Sequence, residues 1–429
     1  MDPARSDIAH LFRRTGFGAL PRQLDALTPA GYESAVDHLL DVTAGDPGTD
    51  RIPDPAVSSS VSWSSDTNTR ALQTKQVAQE ETTLRQWWMT RMAAAERPLA
   101  EKMTLYWHGH FATGIDKVQY AGLMLTQNKL FRRQGLASFP DLTINVAKDP
   151  AMLIWLDTRL DRKAHPNENF ARELMELFTL GIGHYQETDV REAARAFTGW
   201  NYDSAAIAYQ FLPAQHDNGT KTVLGVTGNL SGEDVIRLVT SEPIGIRFVA
   251  ARLWSHFAYP VTIDDPVVDD LVAAYAPALR ISDLMRAILL HPAFRSAKAR
   301  TGLVKQPIEY VAGVMRALNL TADMSFVDPA LANLGQVPLR PPNVGGWPQN
   351  GYWLSTSASR SRLAFARAAA AKTDLRPVTS TRPAVRYQAL SRVLSVDFSP
   401  GTTAALQAVA TNPVEMMALA LVSPEYVAN

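Results

Sequence analysis

Residues 165–200, HPNENFARELMELFTLGIGHYQETDVREAARAFTGW, constrain the fold of this chain more than any other stretch. Pro166 ends whatever precedes it, because its fixed φ and missing N–H cannot continue a helix. Asn167 or Asn169 then supplies an amide oxygen to cap a new helix. At the helical period, Phe170, Leu174, Leu177 and Phe178 fall on one arc, which is the core face. Asn169, Glu173 and Glu176 fall together on the neighbouring arc. Gly181 and Gly183 supply the stop, where left-handed geometry is cheap for glycine. Asp189 with Glu192 reads as a capping box that opens a second helix. Two amphipathic helices about a glycine turn predict a helix-on-helix architecture rather than a sheet.

The same period recurs along the chain. Ile8, Leu11 and Phe12 form the inner face of a short first helix. Residues 46–66 are rich in Pro, Ser, Gly and Asp and read as a mobile surface loop. A long polar helix follows and turns apolar at Leu84, Trp87, Trp88 and Met92. Pro98 opens the next helix, with Leu99, Met103, Tyr106 and Trp107 as its stripe. Between residues 201 and 226 the period changes. Tyr209 and Phe211 alternate with polar neighbours, Asp217-Asn218-Gly219 is a turn signal, and residues 221–224 alternate again, which predicts a small β-hairpin insertion. Residues 335–353 form a Pro/Gly/Trp-rich loop that fits neither period; such loops carry function or seal a core edge. The expectation is an all-α, predominantly helical chain, with residues 1–429 forming a single large multi-helix domain that carries one hairpin.

Residues 165–200 closely resemble the core motif of the bacterial domain-of-unknown-function family 1800. HLFRRTGFGA (residues 10–19), LYWHGHFAT (105–113), DPAMLIWLD (149–157), HDNGTKTVLG (216–225) and PPNVGGWP (341–348) extend the resemblance over nearly the whole chain. The family is all-helical and has no settled activity. Its members are often encoded beside a second uncharacterised family that commonly carries twin-arginine export signals. The resemblance therefore implies the product of a neighbouring gene as a partner, and export alongside that signal-bearing partner.

Composition removes several classes of function. With 42 basic and 42 acidic residues the formal charge is zero, so no global field steers the chain to nucleic acid or to anionic membrane. The absence of cysteine excludes disulfides, thiolate metal sites and cysteine nucleophiles. No apolar run approaches the roughly 20 residues needed to span a bilayer. Arg13-Arg14 has no apolar segment behind it, so the expectation is a cytoplasmic protein.

His108-Gly-His110 is the leading candidate for chemistry, because imidazoles near carboxylates suit a divalent transition metal. On a continuous helix the two rings point about 200° apart. A helix that ended at Gly109 would let them converge. The bland alternative is a pair of satisfied structural histidines. Glu173 and Glu176 share a helix side and could supply carboxylate ligands or acid–base groups, or could pair with Arg172, Arg191 or Arg195. His216 stands at the hairpin mouth, free to reach a site. The expected metal set is His108, His110, Glu173 and His216, with His108, Glu173 and Glu176 catalytic. Against this stands a non-catalytic binding or assembly protein. It would dock a partner protein or an anionic glycan through Arg295, Arg300 and Lys305 and through Trp347 and Trp353. An enzyme should gather its ionisable groups around one buried polar pocket. A docking protein should expose Trp347, Tyr352 and Trp353 as one apolar patch.

Overall fold

A computed structural model describes residues 1–61 and 64–428, excluding the side chain of Val42; part of the 46–66 expectation thus lies outside the described residues. The structure is 64% helical, with 24 α-helices and two small two-stranded sheets among the described residues, so the all-α expectation holds. No helix among the described residues is long and apolar enough to cross a membrane.

Residues 165–200 fold as their pattern dictates, with two corrections. Asn167 caps the Glu168–Glu173 helix by accepting from the Asn169 N–H at 3.0 Å. Gly181 and Gly183 have φ of +84° and +87°. The Glu187–Phe197 helix starts earlier than expected. Its cap is Gln186, and Asp189 reaches back to the Gln186 N–H at 2.8 Å, so Asp189 closes the capping box instead of opening it. Residues Leu174–Thr179 form a π-helical turn. The extra residue per turn rotates Met175 into full burial and leaves Leu177 only half-buried.

The insertion comprises two hairpins. Strand β1 (Trp200–Asp203) pairs antiparallel with β2 (Ala208–Phe211), and β3 (Lys221–Val223) with β4 (Val226–Gly228). Asp217-Asn218-Gly219 links them. Asp217 accepts from the Gly219 N–H at 2.8 Å and from Arg195 at 2.7 Å, which makes the turn a clamp on the preceding helix. The described part of 46–66 is likewise tied down: Asp46 accepts from the Glu96 and Arg97 N–H groups, and Glu80 accepts from Ser58.

Two apolar cores position the candidate site. One gathers the first helix, the motif helices and the Pro243–Phe257 and Ile281–Leu290 helices; the other gathers the long Thr67–Ala94 helix and most of the chain beyond residue 307. The Leu99–His110 helix lies between them. Met103, Tyr106 and Trp107 belong to the first core and Leu105 to the second. A helix covered on both sides has no solvent face, and nearly every residue of this one is buried.

Candidate functional site

Burial from two sides explains why Gly109 does not end the helix. Glycine inside a helix costs about 1 kcal/mol relative to alanine, and packing on both faces outweighs that. The helix runs unbroken to His110. His108 and His110 therefore face different cores. His108 accepts from the Leu339 N–H through Nε2 at 3.1 Å, with its ring against Trp88 and Trp347. That bond places its proton on Nδ1, and burial depresses its pKa to about 3. His108 fastens the 335–353 loop to the helix; Leu339 continues the tie by accepting from the Ile115 N–H at 2.9 Å.

The remaining expected ligands are dispersed. His216 donates from Nδ1 to the Thr198 carbonyl at 2.7 Å and packs on Phe211. Glu176 accepts from the Tyr185 hydroxyl at 2.9 Å. Burial, and then the neighbouring Glu176 charge, raise the Glu173 carboxyl against the pull of Arg172. Arg172 itself pairs with Glu168 and Glu187. Among the described residues, no three His, Asp or Glu side chains are placed to hold a metal ion.

The expected docking residues do not form one surface either. Trp353 is 2% exposed, Trp347 is half-buried, and Tyr352 alone of the three is open at 69%. Arg295 and Arg300 both pair with Asp7. Lys305 is buried with its ammonium over the Tyr426 ring at 3.7 Å.

The structure instead gathers polar groups at a small cavity in the seam between the cores. Tyr106 and His110 come from the Leu99–His110 helix, and Arg252 and His256 from the Pro243–Phe257 helix. Each pair is spaced i,i+4, so each lies on one helix face. Gln306 and Trp347 complete the wall from the other core side. The cavity volume is about 30 Å³, room for one or two water molecules. Its mouth is at Gly345 and Gln349, both exposed. The loop that covers it rests on the helix at Gly346 (φ +79°), where a Cβ would lie 2.2 Å from the Gly109 carbonyl oxygen.

Two lining side chains carry buried polar atoms with no hydrogen-bond partner, His110 Nδ1 and His256 Nε2, and the Tyr106 hydroxyl is reached by Arg252. Buried polar groups are nearly always paired, so two unpartnered imidazole nitrogens around one cavity are unusual. The His110 proton is fixed. Nε2 donates to the Phe178 carbonyl at 3.0 Å, near the end of the motif helix, which leaves a lone pair on Nδ1. Burial, reinforced by the Arg252 charge, holds His110 well below its ordinary pKa. Burial likewise takes His256 to about 3, helped by Lys102, Arg14 and Arg252 and opposed by Glu309. Glu309 Oε1 lies 4.0 Å from His256 Nε2 and pairs with buried Lys102. Burial pushes Tyr106 up to about 12, against the pull of Arg252. Both imidazoles are thus neutral and able to take a proton, while the phenol keeps its proton and can donate a hydrogen bond.

Sequence reasoning singled out His110, but as a metal ligand, and passed over Tyr106, Arg252 and His256. The available signal was the i,i+4 spacing of Arg252 and His256 within PIGIRFVAARLWSHF, an otherwise apolar helix.

The sequence profile described as "Protein of unknown function (DUF1800)" matches residues 10–428. No curated protein and no solved structure matches the chain.

Proposed function

We propose, for a chain that belongs to the DUF1800 family and inherits no activity from it, an acid–base enzyme working at the cavity between the Leu99–His110 and Pro243–Phe257 helices. One observation carries this reading: His110 Nδ1 and His256 Nε2 are buried and unpartnered around the same space, with the Tyr106 hydroxyl and Arg252 beside them. An unsatisfied buried polar group costs about 1–3 kcal/mol. Two of them persist where a ligand supplies the missing partners. A neutral histidine becomes a competent general base once a bound anion offsets the cations beside it and lifts its pKa toward the working pH. His110 or His256 accepts a proton from the substrate and becomes imidazolium, and the Tyr106 hydroxyl donates to the oxygen on which negative charge develops.

A divalent cation does not suit this wall. None of the lining residues is acidic, and the Arg252 guanidinium acts on both histidines. The chemistry therefore rests on the side chains. The test is incubation of the purified protein with a pool of small metabolites, followed by mass spectrometry. Turnover of at least one compound is expected, with a loss of about 10²-fold or more in His110→Gln or His256→Gln, the usual contribution of a general base. No turnover, or turnover unchanged in both variants, refutes the assignment.

A further inference from the structure

The electrostatics of the cavity wall select its ligand. Arg252 is half-buried beside His110 and His256, and no ion pair reaches it among the described residues. The wall offers no acidic side chain in compensation. The amide groups around it are poled in one direction. Gln336 Oε1 accepts from the Ile308 N–H at 3.0 Å, so Gln336 must donate from Nε2. It donates to Gln306 Oε1 at 2.7 Å. That relay occupies one lone pair of Gln306 Oε1 and orients the amide, with its N–H groups turned away from Gln336. Arg252, Gln306 and the Tyr106 hydroxyl are therefore all donors at one acid-free cavity.

We infer that the cavity binds the carboxylate group of a small substrate, with Arg252 as its anchor. A guanidinium presents two parallel N–H donors that match the two oxygens of a planar carboxylate. Two carboxylate oxygens can replace the one or two water molecules that about 30 Å³ accommodates. A phosphate, tetrahedral and with more oxygens to seat, demands more room. The inference rests on the cavity being the working site proposed above. It adds the substrate class: a small carboxylic acid that loses a proton to His110 or His256 while its carboxylate is held at Arg252.

The anion and the histidines are coupled. The charged and titratable groups facing His110 are Arg252 and Tyr106, and those facing His256 are Lys102, Glu309, Arg14, Arg252 and Tyr106. Burial depresses both imidazoles, and the excess of cations over the single carboxylate adds to it. A bound anion offsets those charges and raises the histidine pKa values, so carboxylate binding draws in protons.

The test is calorimetric titration of the whole protein with formate at fixed ionic strength, with chloride as the control salt and phosphate as the competitor. A three-heavy-atom ligand binds no tighter than about 0.5 mM. Saturable binding is expected. It should strengthen by up to about tenfold per unit fall in pH and weaken by about tenfold or more in Arg252→Gln. Tyr106→Phe, which keeps the ring, should weaken it by a smaller factor. It also serves as the informative variant if Arg252→Gln does not fold. Heat no greater than with chloride, preference for phosphate, or formate affinity unchanged in the folded variants would overturn the inference. Formate binding without metabolite turnover would refute the acid–base reading alone. Turnover of uncharged metabolites without formate binding would refute the carboxylate assignment alone.

Discussion

Replacing Glu309 with glutamine should be among the most damaging isosteric changes in the molecule. The Glu309 side chain is 5% exposed and that of its partner Lys102 is 1% exposed. Glu309 also accepts from the Gln306 N–H at 3.2 Å and is the carboxylate that acts on Arg14, Lys102 and Lys305. Glutamine keeps the volume and removes the charge, so the packing change is small and the electrostatic change is whole. Breaking one buried ion pair typically costs about 3–5 kcal/mol, because the remaining charge stays desolvated. The loss has an escape route. Burial already depresses Lys102, and without Glu309 its folded pKa falls further. The unfolded state then binds more protons than the native state above that pKa, so the deficit should shrink as pH rises toward the lysine value in water, about 10. Urea unfolding of wild type, Glu309→Gln and the double variant Lys102→Met/Glu309→Leu at several pH values measures all three terms. The double variant should recover much of the loss but not all, since Arg14 and Lys305 still lack their counter-charge. A single-variant cost below about 1 kcal/mol, or a double variant no more stable than the single, contradicts this account of the buried cluster.

Further perturbations address the loop, the aromatic residues and the titrating groups. Gly346→Ala should destabilise by about 2 kcal/mol or more, since a left-handed φ alone costs 1–2 kcal/mol for alanine and its Cβ meets the Gly109 carbonyl; a thermal melt unchanged from wild type refutes the close approach. Trp353→Ala should cost about 3–5 kcal/mol and Tyr352→Ala within about 0.5 kcal/mol, measured by chemical denaturation; equal effects would contradict their opposite burial. Acidification from about pH 6.5 should destabilise the protein, because buried His10, His108, His110 and His256 stay neutral when folded and charge when unfolded. Asp149 and Asp161 oppose that trend: burial lifts both to about 7, so below that pH the folded state holds protons that the unfolded state lacks. Asp149→Asn keeps an acceptor for the cap and should steepen the acid loss by up to about 1.4 kcal/mol per pH unit; an unchanged pH slope refutes the buried-carboxyl assignment.

The elements written in local pattern were legible in the sequence. Ile8, Leu11 and Phe12 are buried as their spacing requires, Asn167 caps, and the two glycines stop the motif helix. What depended on tertiary context was not legible. The continuation through Gly109 follows from packing on both faces, which outweighs the local preference to end. The pairing within the insertion was hidden. The strands expected near Tyr209–Phe211 and residues 221–224 pair with Trp200–Asp203 and Val226–Gly228, and not with each other. Neither partner segment carries alternation strong enough to mark it as a strand. His108 reads as a ligand by residue type and proves to be a fastening for a loop more than two hundred residues away in sequence. The cavity joins two i,i+4 pairs from distant helices; each pair is visible in the sequence, and their convergence is not. His110 was singled out because its residue type suits a metal; Tyr106 lies in the same motif but reads as part of the apolar stripe, and Arg252 and His256 lie outside any motif.

The most direct test of the cavity as the working site is a long-range ¹⁵N–¹H spectrum of histidine-labelled protein, assigned by His110→Gln and His256→Gln and recorded with and without formate. Both rings are predicted to stay neutral through the range where free histidine titrates, with the His110 proton on Nε2, and both should shift toward imidazolium when formate is added. Rings that titrate near the ordinary value, or that ignore formate while the rest of the spectrum is native, would contradict the account.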